Sequence, residues 1–290
     1  MHRIKNWLFF SFLALILNGC LAQQPAAPQP VPASPTLSPF TATATHLPPT
    51  ATPVLPTPSP AAAFCQPVDG KIEQSCTSLA TGLHYWLYLP SPALYPPISN
   101  PPLLLYLHGF NHSGSNLNLL LGGGLPYEIE NGRSLPMLVV SPQCPSGENW
   151  QTENMVSWLS KFTEEATAKF HADPQRVYLT GFSMGGDGVW AVGLAHPGQF
   201  SALAPVGSWY SNLANVCNLQ DVPVWVFQGD QDEIVSKEFA QKITAALQAC
   251  GGTVKLTLFP KTSHEGSRNL TYGMDELYLW LLLQARQTSP

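Results

Sequence analysis

The sequence predicts an α/β protein, built on a mostly parallel central sheet with helices on both faces. Three observations point there. After residue 64, short apolar runs alternate with longer segments of helical periodicity. The runs lack the polar alternation of a half-exposed strand, so they read as strands buried on both faces. Several stop at Gly, Ser or His, the residues that turn a chain and that carry chemistry.

The expected strands are His84 to Leu89, Leu103 to Leu107, Met137 to Val140, Val177 to Thr180, Ala202 to Val206, Val222 to Phe227 and Val254 to Phe259, with His84 opening the sheet. Four helices are expected: Glu153 to His171, with Val156, Leu159, Phe162 and Phe170 at helical spacing, then Met184 to Ala195, Ser236 to Ala249 and Gly273 to Ala285. There is no internal repeat. The chain of 290 residues carries only 11% charged residues, a formal net charge of −5 and no run of Lys or Arg. That charge pattern removes the term that dominates non-specific nucleic-acid binding, so DNA and RNA are excluded as partners.

The N-terminus reads as an address. Arg3 and Lys5 precede an apolar run from Trp7 to Leu17, too short to span a bilayer stably, and Leu17-Asn18-Gly19-Cys20 follows. Residues 1–20 are therefore expected to be an export signal, and the last four resemble the lipobox of bacterial lipoproteins. That resemblance implies acylation of Cys20 and anchoring on the extracytoplasmic face of the cell membrane. Residues 21–63 are rich in Pro, Thr, Ala and Ser, with 29 prolines in the whole chain, and cannot bury enough apolar surface to fold. As extended polyproline II they would reach on the order of 100 Å. Residues 64–290 form the expected catalytic domain.

Six cysteines suit an oxidising compartment. With Cys20 acylated an odd number is left. The expected pairs are Cys65 with Cys76 and Cys217 with Cys250, leaving Cys144 as a buried thiol. The second pair closes a ring of about 34 residues, worth about 3 to 4 kcal/mol by the chain-entropy argument.

Gly181-Phe182-Ser183-Met184-Gly185 fits G-x-S-x-G and lies between a predicted strand and a helix rich in small residues. A serine hydroxyl is a weak nucleophile and needs a base, itself held by a third group. Asp232 and His264 each follow a predicted strand, in the chain order Ser, Asp, His. Asp232 is preferred over Asp230, which reads as a turn residue bonding its own loop. The backbone N–H groups of Phe110 and Met184 are candidate donors to a developing oxyanion. His108, His171 and His196 read as structural, and Asp187 as a complement to the positive end of its helix. Asn111, His112, Trp150, Trp209 and Tyr210 are candidate pocket residues. No group of His, Cys, Asp and Glu has metal-ligand spacing, and no cofactor is expected.

With these residues in place the chain resembles the α/β-hydrolases, nearest the secreted esterases that include polyhydroxyalkanoate-depolymerase-like enzymes, family 1 carbohydrate esterases and prolyl-oligopeptidase-like proteins. The matching stretches are Tyr106-Leu107-His108-Gly109, Ser141 to Pro145 with Trp150, Asp173 to Gly186, and Pro223 to Gly229. The resemblance implies an α/β-hydrolase fold without a large lid domain, and Ser183, Asp232 and His264 as nucleophile, acid and base. It also implies an extracytoplasmic carboxylesterase that works through an acyl-enzyme. A prolyl-oligopeptidase-like peptidase and a non-catalytic surface binding protein are the alternatives. The sequence leaves the ester substrate and the oligomeric state open. It departs from the family pattern at Asp187, often an aromatic residue or Asn, and at Glu265-Gly266-Ser267, often Asp-Ser-Trp.

Overall fold

A computed structural model describes residues 65–67, 72–93, 95 and 98–286, all of which fall within one compact unit. The expected signal, Cys20 and linker lie outside the described residues. Nine strands form one sheet: β1 (Gln66–Pro67), β2 (Gln74–Thr77), β3 (His84–Tyr88), β4 (Leu103–Leu107), β5 (Leu138–Pro142), β6 (Val177–Phe182), β7 (Ala202–Val206), β8 (Val224–Gly229) and β9 (Val254–Phe259). The spatial order is β1-β2-β3-β5-β4-β6-β7-β8-β9. The pairs β1/β2, β2/β3 and β3/β5 are antiparallel, and the others are parallel.

Strands β4, β5, β6, β7 and β8 are buried at every position, as runs covered on both faces should be. Successive side chains part to opposite faces. Leu103, Leu105 and Leu107 of β4 pack with α2 (Glu153–Lys169), α3 (Met184–Ala195) and α4 (Lys237–Ala249). Leu104 and Tyr106 face the other side, with α1 (Leu125–Glu130), α5 (His264–Gly273) and α6 (Asp275–Leu282). The expected mostly parallel sheet with helices on both faces is what the fold shows.

The helices follow from local chemistry. Thr152 caps α2 by accepting the Met155 N–H, and Met155, Leu159, Phe162 and Ala166 bury one stripe against the sheet. In α3 the small residues serve close approach: a Cβ on Gly188 would lie 2.5 Å from Trp150 Cβ, and one on Gly193 would lie 2.5 Å from a Leu203 methyl.

Four features differ from expectation. His84 does not open the sheet, because β1 and β2 precede it; their short, polar sequences carry no apolar run. Helix α1 starts after Gly124 with Pro126 in its first turn and is too short to show a period. The region after β9 holds α5, whose buried face is His264, Ser267, Thr271 and Tyr272 rather than an apolar stripe. The last helix starts at Asp275, since α5 runs to Gly273.

Both disulfides, Cys65–Cys76 and Cys217–Cys250, are formed, and Cys144 is a buried free thiol. The first joins the residue before β1 to β2, and the second joins a 3-10 turn (Val216–Leu219) to the C-cap of α4. Replacing Cys250 by Ser should lower the unfolding free energy in urea by about 3 kcal/mol. The double variant with Cys217→Ser should lose no more than the single.

Candidate active site

The chain leaves β4 for β5 toward one edge of the sheet, then returns to β6 and proceeds through β7 and β8 to β9 toward the other. The loops after β4 and β6 therefore diverge, opening a crevice at the carboxyl ends of these neighbouring strands. Ser183 stands there, between β6 and α3, at φ 57° and ψ −120°. This backbone is unfavourable for a residue with a Cβ and must be held by its surroundings. The Ser183 N–H donates to the Val206 carbonyl at 2.9 Å, and the Ser183 carbonyl accepts the Asp187 N–H at 3.0 Å. A Cβ on Gly181 would overlap the Gly185 carbonyl, and one on Gly185 would overlap that of Leu107. Both elbow positions consequently require glycine.

His264 is the first residue of α5, capped by Ser263, whose side chain accepts the Gly266 N–H. Its Nδ1 lies 2.7 Å from Asp232 Oδ2 and its Nε2 lies 2.9 Å from Ser183 Oγ. The Asp232 side chain is 0% exposed. Its Oδ1 accepts the N–H groups of Ile234 and Val235, and its Oδ2 also accepts from Gln228 Nε2. Burial alone would raise the Asp232 pKa, but the hydrogen bonds from His264, Val235 and Ile234 and the nearby imidazole hold it below the ordinary carboxylate range. An ionised carboxylate only accepts, so Nδ1 carries the hydrogen and Nε2 is left to accept from Ser183. Asp230 takes no part: its Oδ1 accepts the Thr262 N–H, and it braces its own turn.

Phe110 opens a 3-10 turn (Phe110–His112) and Met184 opens α3. Helix-opening N–H groups have no acceptor within their own helix. The two turns pack together, a Cβ on Gly109 falling 3.5 Å from Ser183 Cβ. Buried His108 fixes the first turn: its Nε2 accepts the Cys144 N–H at 2.9 Å and its Nδ1–H donates to the Gly109 carbonyl at 2.7 Å. Burial lowers its pKa to about 3, so the ring stays neutral in this tautomer. Gln143 braces the same loop by donating to the carbonyls of His112 and Asn116.

Above Ser183 lies a cleft of about 310 Å³. Asn111, His112 and Trp209 line it, and Phe110 stands at its edge with 69% of its surface exposed. Trp150 does not reach it. That ring is fully buried and donates through Nε1 to the His108 carbonyl, a support beneath the loop. Tyr210 turns away toward α3, lining a separate small cavity with Ala191 and Leu194. The sequence reading missed Phe182, Ile234, Glu265 and Arg268 in the cleft. Arg268 pairs with Glu265 and sits 5.3 Å from the centre of the Phe182 ring. Its separation of four residues from His264 would have revealed it, had α5 been recognised as a helix.

Asp187 lies in the first turn of α3, but it is more than a complement to that helix end: it is 0% exposed and bonded across the fold. Its carboxylate accepts from Ser208 Oγ at 2.9 Å and Gln151 Nε2 at 3.2 Å. Burial pushes its pKa up to about 7, against the opposing pull of hydrogen bonds from Ser208, Trp209 and Tyr210. A carboxyl that holds its proton more tightly when folded contributes stability that is whole below its unfolded pKa, about 3.9, and lost as pH rises through 7. Glu73, raised by burial to about 8, acts in the same sense. Asp232 acts in the opposite sense, but its contribution is lost only as pH falls below the ordinary carboxylate range. The melting temperature should therefore fall between pH 5 and pH 8, and Asp187→Asn should flatten that slope. A slope unchanged in the variant contradicts the assignment.

Residues 147–269, from the approach to α2 into α5, match the dienelactone hydrolase family. A crystal structure of a thermostable esterase aligns with TM-score 0.63 and 26% identity over 75% of this chain and 64% of that one. Esterase PE8 aligns with TM-score 0.53 and 19% identity over 68% of this chain and 96% of that one. In sequence, 147 residues are 26% identical to the bifunctional acetylxylan esterase/xylanase XynS20E of Neocallimastix patriciarum. That stretch is 47% of this chain and only 20% of the relative. By its family match and its sheet order, the chain has an α/β-hydrolase fold.

Proposed function

We propose that the chain is a serine carboxylesterase that works through an acyl-enzyme. The observation that carries this reading is the continuous hydrogen-bonded line Asp232–His264–Ser183, ending at the floor of an open cleft. In the proposed reaction, His264 Nε2 takes the Ser183 proton as Oγ attacks the ester carbonyl carbon. Asp232 keeps the ring oriented and stabilises the imidazolium. The N–H groups of Phe110 and Met184 receive the negative charge on the carbonyl oxygen. His264 then returns its proton to the departing alkoxide, leaving an acyl ester on Ser183. Water, deprotonated by His264, releases the acid and regenerates the hydroxyl.

The similarity to an acetylxylan esterase supports acyl groups carried on a polysaccharide as substrates, and the exposed edge of the cleft suits an ester borne on a bulky chain. We propose further that the protein acts outside the cytoplasm, anchored through lipid on Cys20, with residues 21–63 as spacer. The lipobox resemblance and the two disulfides support that location.

The test is hydrolysis of p-nitrophenyl acetate, butyrate and octanoate by the full-length chain. Ser183→Ala and His264→Ala should each lower kcat by about 10⁴-fold or more, and Asp232→Asn by about 10³- to 10⁴-fold. Turnover that survives Ser183→Ala contradicts the proposal. Ser183-dependent cleavage of peptide anilides in place of esters would indicate a peptidase. For the anchor, labelled palmitate should be incorporated by the wild-type chain and not by Cys20→Ala.

A further inference from the structure

Asp187 is a buried carboxylate that the proposed chemistry does not use. It is one turn beyond Ser183 on α3, and every partner it has is a donor. Ser208 Oγ–H and Gln151 Nε2–H reach its two oxygens, and the neighbouring backbone N–H groups of Trp209 and Tyr210 favour its charged form. Ser208 Oγ also accepts the Tyr210 N–H at 3.2 Å, so the segment is knotted about this one group. Above its pKa of about 7 the ionised side chain only accepts and fits such a ring of donors, and a carboxamide, with donors of its own, does not. The segment begins at Gly207 with φ 57°, directly after β7, and passes between Asp187 and the catalytic ring: a Cβ on Gly207 would lie 3.2 Å from His264 Cε1. Beyond it Trp209 lines the cleft, with 38% of its surface exposed.

We infer that Asp187 is a positioning residue for substrate selection, which fixes the turn 207–210 and so holds Trp209 as one wall of the acyl cleft. The kinetic side of this inference rests on the esterase reading, and the geometric side does not. Trp209 is covered only in part by its own packing, with 38% of its surface exposed. The anchor is beneath it, in the Ser208 hydroxyl that bonds Asp187 and in the backbone N–H groups of Trp209 and Tyr210 that favour the charged carboxylate. Truncating Asp187 leaves those donors without an acceptor in a buried place, so the turn should shift toward water and take the wall with it.

The test uses the full-length chain at pH 8, labelled with 5-fluorotryptophan, with the Trp209 ¹⁹F resonance assigned by Trp209→Phe. In Asp187→Ala and Asp187→Asn the Trp209 signal should shift or broaden, while those of Trp225 and Trp280, on β8 and α6, hold their places. Ser208→Ala, which removes one donor and leaves the carboxylate, should move it less. In the kinetic arm, Asp187→Ala should change the ratio of kcat/KM between p-nitrophenyl octanoate and acetate by about tenfold, the scale on which apolar pocket contacts discriminate. In a Trp209→Ala background the same substitution should leave that ratio unchanged. A Trp209 resonance unmoved in folded Asp187 variants overturns the inference. So does an equal loss on both esters that adds to the effect of Trp209→Ala, the behaviour of a merely structural residue. If the wild-type chain hydrolyses no ester, the esterase reading fails, and the ¹⁹F signal decides the positioning claim by itself.

Discussion

The backbone contact between α3 and the end of β4 governs the geometry of the site. Gly185 sits so close to the Leu107 carbonyl that no side chain fits, and Gly181 sits nearly as close to the Gly185 carbonyl. This contact forces the chain to turn within one residue between β6 and α3. Ser183 is that residue, and its positive φ is the geometric consequence. The same approach draws the turn after β4 against the elbow, a Cβ on Gly109 falling 3.5 Å from Ser183 Cβ. A longer path between strand and helix would relieve the backbone and move the hydroxyl away from His264.

Around this point the fold sets two buried carboxylates to different ends. Asp232 faces His264, Gln228 and two backbone N–H groups, and these outweigh burial and keep it ionised. Asp187 is also ringed by donors, but burial prevails and its pKa rises to about 7. The partner decides the difference, since Asp232 is bonded directly to an imidazole that can become cationic and Asp187 is not. In the proposed reaction one carboxylate is matched to charge that develops on His264, and in the inferred positioning role the other is matched to a turn.

Much of this was legible in the sequence because the physics is local. Strands buried on both faces leave unbroken apolar runs, so β4 to β8 could be read to within a residue or two. Ser183, Asp232 and His264 each follow such a run, and strand ends are where an open parallel sheet places its chemistry. What escaped reading depends on neighbours far apart in the chain. Trp150 has the composition of a pocket wall, but its place under the His108 loop is set by packing against α3. The partners of Asp187 come from residues 151 and 208 to 210, and no local pattern joins them. Helix α5 lacks a clear apolar stripe, so Arg268 went unseen even though it stands one turn from His264. The edge strands β1 and β2 are held by a disulfide and by pairing to β3, and their own residues scarcely favour a sheet.

The central claim is that Ser183 is an activated nucleophile because His264 and Asp232 stand behind it. Its most direct measurement is covalent: the folded full-length chain is exposed to a fluorophosphonate, and its intact mass and peptide map are recorded. The account predicts one adduct per chain, on Ser183, and its loss in His264→Ala. An absence of adduct in the folded wild type, or labelling of Ser183 that persists undiminished without His264, would contradict it.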